Sequence, residues 1–373
     1  MAAAKPDEPV ALVLQGGGAL GAYQAGAYEA LSEGGFEPQW AAGISIGAIN
    51  AAIIAGNRAK DRVAKLRAFW ERVTSGVPGG PLFPGEWMRA AFSQASAAYA
   101  AGFGAPGFFE PRVPPPLAGI DDDPETASYY DTGPLRATLE ELVDFDYLAD
   151  GGPRLSVGAV DVATGNFAYF DGKSTRLRAE HVMASAALPP GFPAVEIDGA
   201  HYWDGGLVSN TPLQYVLEYD VPRRDWLVFQ VDVFPARGAV PRNMDDVGRR
   251  EKDIRYSSRT RMNTDVFKEL QTLRRAARRL TAKLPKDLRD DPDAKLLAER
   301  GCDAAVTIVQ LIHAREAFEG AAKDYEFSRL TMEEHWKAGR DDALRTLRHP
   351  KFTGRGKPAQ GVATLDLARA PVR

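Results

Sequence analysis

A chain of 373 residues that is 45% hydrophobic and 26% charged can bury a large core, as one α/β domain or two, and this composition excludes a disordered or fibrous protein. Its formal net charge of −4 gives no global attraction to nucleic acid or anionic lipid, so any such contact must come from a local patch. The single cysteine, Cys302, excludes an internal disulfide framework and a multi-cysteine metal site, and reads as a small buried side chain.

The chain begins MAAAKPDEPV, without an apolar h-region; no secretory leader is expected, and a cytoplasmic protein with peripheral membrane contact left open follows. Val10 to Gln15 (VALVLQ) is a short apolar run expected to form a buried strand. It leads into Gly16-Gly17-Gly18-Ala19-Leu20-Gly21 and a helix over Ala22 to Ser32. This is formally G-x-G-x-x-G, but a dinucleotide site needs an acid at the end of the second strand. Here that strand ends at Ser45, and the nearest acid, Glu37, precedes it. The other physics of such a loop is anion stabilisation: glycines let consecutive N–H groups turn outward at the positive end of a helix.

Trp40 to Gly56 carries Gly43-Ile44-Ser45-Ile46-Gly47, the G-x-S-x-G of a strand turning sharply into a helix with serine at the bend. Glycines at 43 and 47 relieve collisions with the neighbouring strand and helix. The stretch is uncharged but too short at 17 residues, and too rich in Gly, Ser and Asn, for a membrane span. Two parallel strands in succession would put both loops at one sheet edge, where the glycine-loop amides could serve as an oxyanion hole beside the serine.

Arg58 to Thr74 reads as an amphipathic helix, and residues 75–131 as a Gly/Pro-rich insertion without regular structure, a candidate lid. Its Phe83, Trp87, Phe92, Tyr99, Phe103, Phe108 and Phe109 could line an acyl channel or pack on the body. A helix is expected over Pro134 to Val143 and a hairpin over Leu155 to Val160 and Phe167 to Phe170. A helix over Arg178 to Ala187 stops at Pro189-Pro190. A second hairpin turns at Asp198-Gly199 and ends in Asp204-Gly205-Gly206. Asn210-Thr211-Pro212 reads as the start of a helix to Tyr219, and Trp226 to Phe234 as a central strand.

Residues 1–235 are read as the catalytic unit, 236–350 as a mostly helical extension packed on the same body, and 351–373 as a loosely held polar tail. In the extension, Asn263 to Leu284 is an Arg-rich amphipathic helix with a stripe of Val266, Leu270, Leu273, Ala277, Leu280 and Leu284. It either docks on anionic membranes or packs its stripe on the body. Val306 to His313 reads as a strand, and Thr331-Met332-Glu333-Glu334 as a capping box opening a last helix.

Gly16-Gly17-Gly18, Gly43-x-Ser45-x-Gly47 and Asp204-Gly205-Gly206, in this order and with ASAALPPGFPAVEIDGAHYWDGG leading into the last, resemble the patatin-like phospholipase family. The resemblance spans about Val10 to Phe234. It implies a three-layer α/β fold with a mostly parallel sheet, and hydrolysis of lipid acyl esters by a Ser-Asp dyad. By position, Ser45 would be nucleophile, Asp204 base, and Gly16, Gly17 and Gly18 the oxyanion hole, with Gly21, Gly43, Gly47, Gly205 and Gly206 as motif glycines. No metal, cofactor or nucleic acid is implied. Leu20 stands where the family usually has Lys or Arg, which puts a phospholipid preference in question.

Read from the residues alone, a serine hydroxyl needs a proton acceptor, and each of His181, His201, His313, His335 and His349 is a candidate. His201 is three residues from Asp204 on one strand, so the two side chains face opposite ways. Asp204 could itself be an ordinary Asp-Gly turn. A carboxylate base predicts a flat pH profile toward alkaline values, without an inflection near neutrality. The alternative class is a noncatalytic lipid- or membrane-surface binder that keeps the fold.

Overall fold

The computed structural model describes residues 8–81, 83–116, 123–218, 224–257, 260–314 and 319–368. In chain order the first elements are β1 (Val10–Leu14), α1 (Gly21–Glu33), β2 (Trp40–Gly43), α2 (Ile46–Ala55), α3 (Ala59–Val73) and α4 (Glu86–Phe103). Next come β3 (Glu110–Pro111), β4 (Tyr130–Asp131), α5 (Gly133–Leu142), α6 (Phe145–Ala149), β5 (Arg154–Asp161), β6 (Phe167–Asp171) and α7 (Ala179–Ser185). They are followed by β7 (Val195–Ile197), β8 (Ala200–Asp204), α8 (Leu213–Glu218), β9 (Trp226–Asp232), α9 (Met244–Tyr256) and α10 (Thr260–Thr281). The last are α11 (Pro292–Arg300), β10 (Val306–Ile312), α12 (Arg329–Arg348), α13 (Pro350–Thr353) and β11 (Val362–Asp366).

One nine-stranded sheet organises these elements. β11, β10, β9, β1, β2 and β5 lie side by side and parallel. Parallel strands need both faces covered, and the alternation along β1 shows how. Val10, Leu12 and Leu14 face a core shared with α1, α2, α3 and α12, while Ala11 and Val13 face a second core under α8 and α10. The architecture is therefore the expected three-layer, mostly parallel α/β fold. Two helix glycines let α1 and α12 press together: a Cβ on Gly26 would lie 1.8 Å from the Trp336 carbonyl oxygen, and one on Gly339 1.9 Å from that of Tyr23.

The antiparallel strands set the site. β5 pairs with β6 along one edge, from Ser156 to Val160. Its other edge is shared: β2 occupies Arg154 to Val157, and β8 occupies Ala159 to Asp161 in the opposite direction. β8 thus takes over the sheet position that β2 leaves, and the two strands end head to head, with Gly43 opposite Val157 and Asp204 opposite Ala159.

Several sequence expectations are corrected. The 75–131 segment is not structureless, because α4 runs 18 residues through it. Ala-rich sequence between Gly85 and Gly104 is sound helix material, outweighed on reading by the flanking prolines and glycines. Arg89 ties α4 to Glu334 and Thr331 of α12. Leu82 and residues 117–122 of the segment lie outside the described residues. The last helix begins at Arg329, capped by Ser328, whose Oγ accepts the Thr331 N–H; the Thr331 to Glu334 capping box does not form. The tail is not wholly loose, because Val362 to Asp366 adds β11 in register to β10. Thr364 and Leu365 supply the β-branched and apolar character there.

Candidate active site

At the end of β2 the Ile44 N–H donates to the Leu14 carbonyl, and the chain turns at Ser45 into α2. Ser45 has φ 55° and ψ −128°, a left-handed conformation that strains a residue bearing a Cβ by about 1–3 kcal/mol. Ser185 holds it there: its carbonyl and its Oγ both accept the Ser45 N–H at 3.1 Å. The Ser185 hydroxyl donates in turn to the Gly158 carbonyl at 2.6 Å. The flanking glycines answer to crowding. A Cβ on Gly43 would lie 2.1 Å from the Gly47 carbonyl oxygen, and one on Gly47 would lie 2.4 Å from that of Leu14. Half-buried Ser45 is left with its side chain on the open edge of the sheet, at the N-terminus of a fully buried helix.

Asp204 closes β8 and is 2% exposed. Its carboxylate lies within range of the Ser45 hydroxyl and accepts, through Oδ1, the Gly206 N–H at 2.7 Å. Burial disfavours the charged form and raises its pKa to about 7, although the Ser45 hydroxyl and the Gly206 N–H pull the other way. This revises the pH expectation. A carboxyl with this pKa titrates near neutrality, so an inflection there would not by itself mark a histidine. Gly205 is required by packing, because a Cβ there would sit 2.6 Å from the Gly158 carbonyl oxygen.

The glycine loop lies beside Ser45, since a Cβ on Gly16 would meet Asn210 Oδ1 at 2.3 Å and the Ser45 Cβ at 3.0 Å. Its donors are fewer than the three expected. The Gly16 N–H donates to the Asn210 carbonyl at 3.1 Å, which removes Gly16 from the oxyanion donors and makes it a spacing residue. Among the described residues, the N–H groups of Gly17 and Gly18 donate to no protein acceptor. The same holds for Ile46, first residue of α2, a donor that the sequence reading passed over. Gly18 has φ 55°, and a Cβ there would fall 2.0 Å from the Asp324 carbonyl oxygen. Gly21 is closed in by Ile46 and Trp70, and Leu20 is fully buried in the core.

Two buried amides clamp this loop, and the sequence reading assigned neither. Asn210 donates through Nδ2 to the carbonyls of Gly16 (3.0 Å) and Tyr256 (2.8 Å). It was expected to cap a helix, but α8 begins later, at Leu213. Gln15 accepts the Val233 and Phe234 N–H groups on Oε1, both at 2.7 Å, and donates to Thr211 Oγ1 and the Tyr256 carbonyl. The only sequence signal for Asn210 was its place four residues after Gly206, which no periodicity flags.

None of the five histidines bonds to Ser45 or Asp204 among the described residues. The buried His181 accepts the Arg178 N–H on Nδ1, and burial holds its pKa low. His313 and His335 direct Nε2 at one oxygen of buried Glu319, at 2.5 and 3.1 Å. His349 caps α13. His201 lies on β8 opposite Glu196.

Phe108 and Phe109 are buried and packed with Tyr130, Phe192 and Phe327. Phe83, Trp87 and Phe103 are exposed. The aromatics of the insertion therefore divide between the body and the surface.

No curated protein matches the chain. Among solved structures it is similar to VipD from Legionella pneumophila, at 15% identity and a TM-score of 0.34, over 97% of this chain and 72% of that one. A family model described as patatin phospholipase matches residues 254–359, and one described as patatin-like phospholipase matches residues 12–217, more than half of the chain and all of the loops just described. The chain therefore belongs to the patatin-like phospholipase family, a family of lipid acyl hydrolases.

Proposed function

We propose that this protein hydrolyses carboxylic esters of lipids, lysophospholipid, phospholipid or a related acyl ester, through a Ser45–Asp204 dyad and an acyl-enzyme. The observation that carries the reading is the buried carboxylate of Asp204, set against the Ser45 hydroxyl and with its pKa lifted to about 7. A carboxylate of ordinary pKa is a poor base for an alcohol; one matched to neutral pH is a better one. Ser45 Oγ attacks the acyl carbonyl carbon as its proton passes to Asp204. The oxyanion lies against the amides of Gly17 and Gly18 at the positive end of α2. Collapse expels the alcohol, which takes the proton from Asp204, and leaves the acyl group on Ser45. Water then adds to the acyl carbon as it gives a proton to Asp204; collapse breaks the bond to Ser45 Oγ, which takes that proton back, and the carboxylic acid departs.

The test is turnover of a short-chain chromogenic ester by the full chain, with a serine-directed phosphonate as probe. The expected result is stoichiometric inhibition, with the phosphonyl group on Ser45 by mass spectrometry. Labelling of another serine with the same loss of turnover overturns the assignment. A folded protein that neither turns over ester nor takes the probe favours the noncatalytic lipid-binding reading.

A further inference from the structure

The Arg-rich helix α10 does not pack its apolar stripe on the body. Its inward side is Thr264, Phe267 and Gln271, all buried. Phe267 joins the core under α8, and Gln271 Nε2 donates to the Ala304 carbonyl at 2.7 Å. The stripe lies on the other side: Val266 is 52% exposed, Leu273 66% and Leu280 55%, at seven-residue intervals, with half-buried Leu270, Ala277 and Leu284 between them. α11 packs antiparallel on this helix, the Cys302 N–H after it donating to the Arg274 carbonyl, and it leaves Leu296 and Leu297 exposed.

An apolar row of this length open to water needs a partner, and charge indicates which. Residues 264–286 hold seven Lys or Arg and two acids, a local charge of +5 on a chain whose net charge is −4. Arg278, Arg279 and Lys283 are exposed beside the stripe. Cations with long apolar stems flanking an apolar row are the pattern of a helix lying in a lipid interface. In a pairing of two copies, the same cations would be brought toward each other. Position agrees as well. α10 starts four residues after Tyr256, whose carbonyl is held by Asn210 and Gln15, the amides that clamp the glycine loop. Exposed Leu207, Val208 and Ile254 lie on the segments that meet at this edge.

We infer that α10 is a docking helix for anionic lipid surfaces, lying in the interface with Val266, Leu273 and Leu280 inserted and its cations at the head groups. This rests on the lipid-hydrolase reading only for its purpose, so the test is kept independent of catalysis. Full-length Ser45→Ala protein is sedimented with vesicles of phosphatidylcholine alone or with phosphatidylglycerol, at low and high salt. Binding should rise with phosphatidylglycerol and fall with salt. The triple change Arg278→Gln, Arg279→Gln, Lys283→Gln should weaken it about a hundredfold. Leu273→Ser with Leu280→Ser should weaken it at least about tenfold. In a Ser45 background, both sets should leave hydrolysis of a monomeric soluble ester unchanged. Binding indifferent to phosphatidylglycerol and salt, or absent at low salt, overturns the proposal. So does a concentration-dependent dimer abolished by the two leucine changes, since a second copy would then cover the stripe.

Discussion

Replacing Asp204 by Asn should make the protein more stable while making it inactive, and the two effects should have different pH dependence. Asp204 is 2% exposed, and its pKa rises from 3.8 to about 7. A shift of about three units at 1.36 kcal/mol each is worth roughly 4 kcal/mol. The sign follows from proton binding. Between the two values the folded state holds a proton that the unfolded state has released, so stability falls as pH rises through this window. It levels off above about 7. Asn stays neutral throughout. Its carbonyl oxygen can keep the Gly206 N–H, and its amide can donate to the Ser45 hydroxyl. Relative to wild type, Asp204→Asn should gain nothing near pH 4 and up to about 4 kcal/mol at pH 8, or about 5 °C in Tm for a chain of this size. Ester turnover should fall at least about a thousandfold, because no carboxylate remains to take the serine proton. Wild-type kcat/KM should rise with pH to a plateau above about 7. The inflection should barely move with temperature, since carboxylate ionisation carries little heat and imidazole ionisation a good deal. Thermal melts from pH 4 to 9 decide the first part and initial rates the second. Parallel stability curves for the two proteins, or an active Asp204→Asn, would refute the reasoning.

Ser45→Ala should lose at least about three orders of magnitude in turnover with little change in Tm, whereas Ser45→Gly should lose as much and gain about 1 kcal/mol by relaxing the left-handed strain; equal Tm values would remove the strain argument. Each single His→Ala change should leave the specific activity of the folded fraction near wild type, while those at His181, His313 and His335 lower Tm because these rings are buried; a folded but inactive variant points to a histidine base. Glu319→Gln should destabilise by about 3–5 kcal/mol, since it leaves the cation of Lys323 with one buried acid fewer. The carboxyl of Glu319 is held well below its ordinary pKa by the His313 and His335 side chains despite burial. Its stabilising effect is therefore present above the unfolded pKa and is lost as pH falls through the folded value, so the gap between variant and wild type should close on acidification. Denaturant melts at pH 7 and at successive steps below pH 4 measure it.

The parts of the site that lie on short local patterns were legible. The turn at Ser45 is announced by glycines at 43 and 47, because the backbone approach that demands them, to Gly47 and Leu14 carbonyls, occurs at any such bend. The hairpin at Asp198-Gly199 was legible for a similar reason: both residues have positive φ, and Asp-Gly tolerates this. The free amides of the glycine loop, the donors of the proposed oxyanion hole, were not. Whether a loop amide is free depends on what lies opposite it, and the Gly16 partner is a carbonyl 194 residues away at Asn210. The pKa of Asp204 was hidden likewise, since burial is a property of the assembled sheet and not of the Asp-Gly-Gly run. The stripe of α10 shows a further limit. Periodicity identified the apolar row but not whether it faced inward, and Phe267 and Gln271, outside the row, are the residues that do.

The proposed dyad has a topological cause. Ser45 and Asp204 come from strands that run in opposite directions, yet they meet because β2 stops at Val157 of β5 and β8 arrives at Ala159. Two strands ending head to head on one edge leave a gap in the ladder, and the gap holds the two side chains. A parallel strand in the place of β8 would send its C-terminal residue away from Ser45. The Asp198-Gly199 hairpin is thus what brings a carboxylate back to Ser45. The same gap lets the Ser185 carbonyl and hydroxyl reach the Ser45 amide. What the sheet cannot supply comes from downstream of it. Asn210 fixes Gly16, the Tyr256 carbonyl anchors Asn210, and the Asp324 carbonyl closes on Gly18. The region after residue 235 also adds β10 and β11 beyond β9, so it completes the sheet and braces the cradle from the side opposite the dyad.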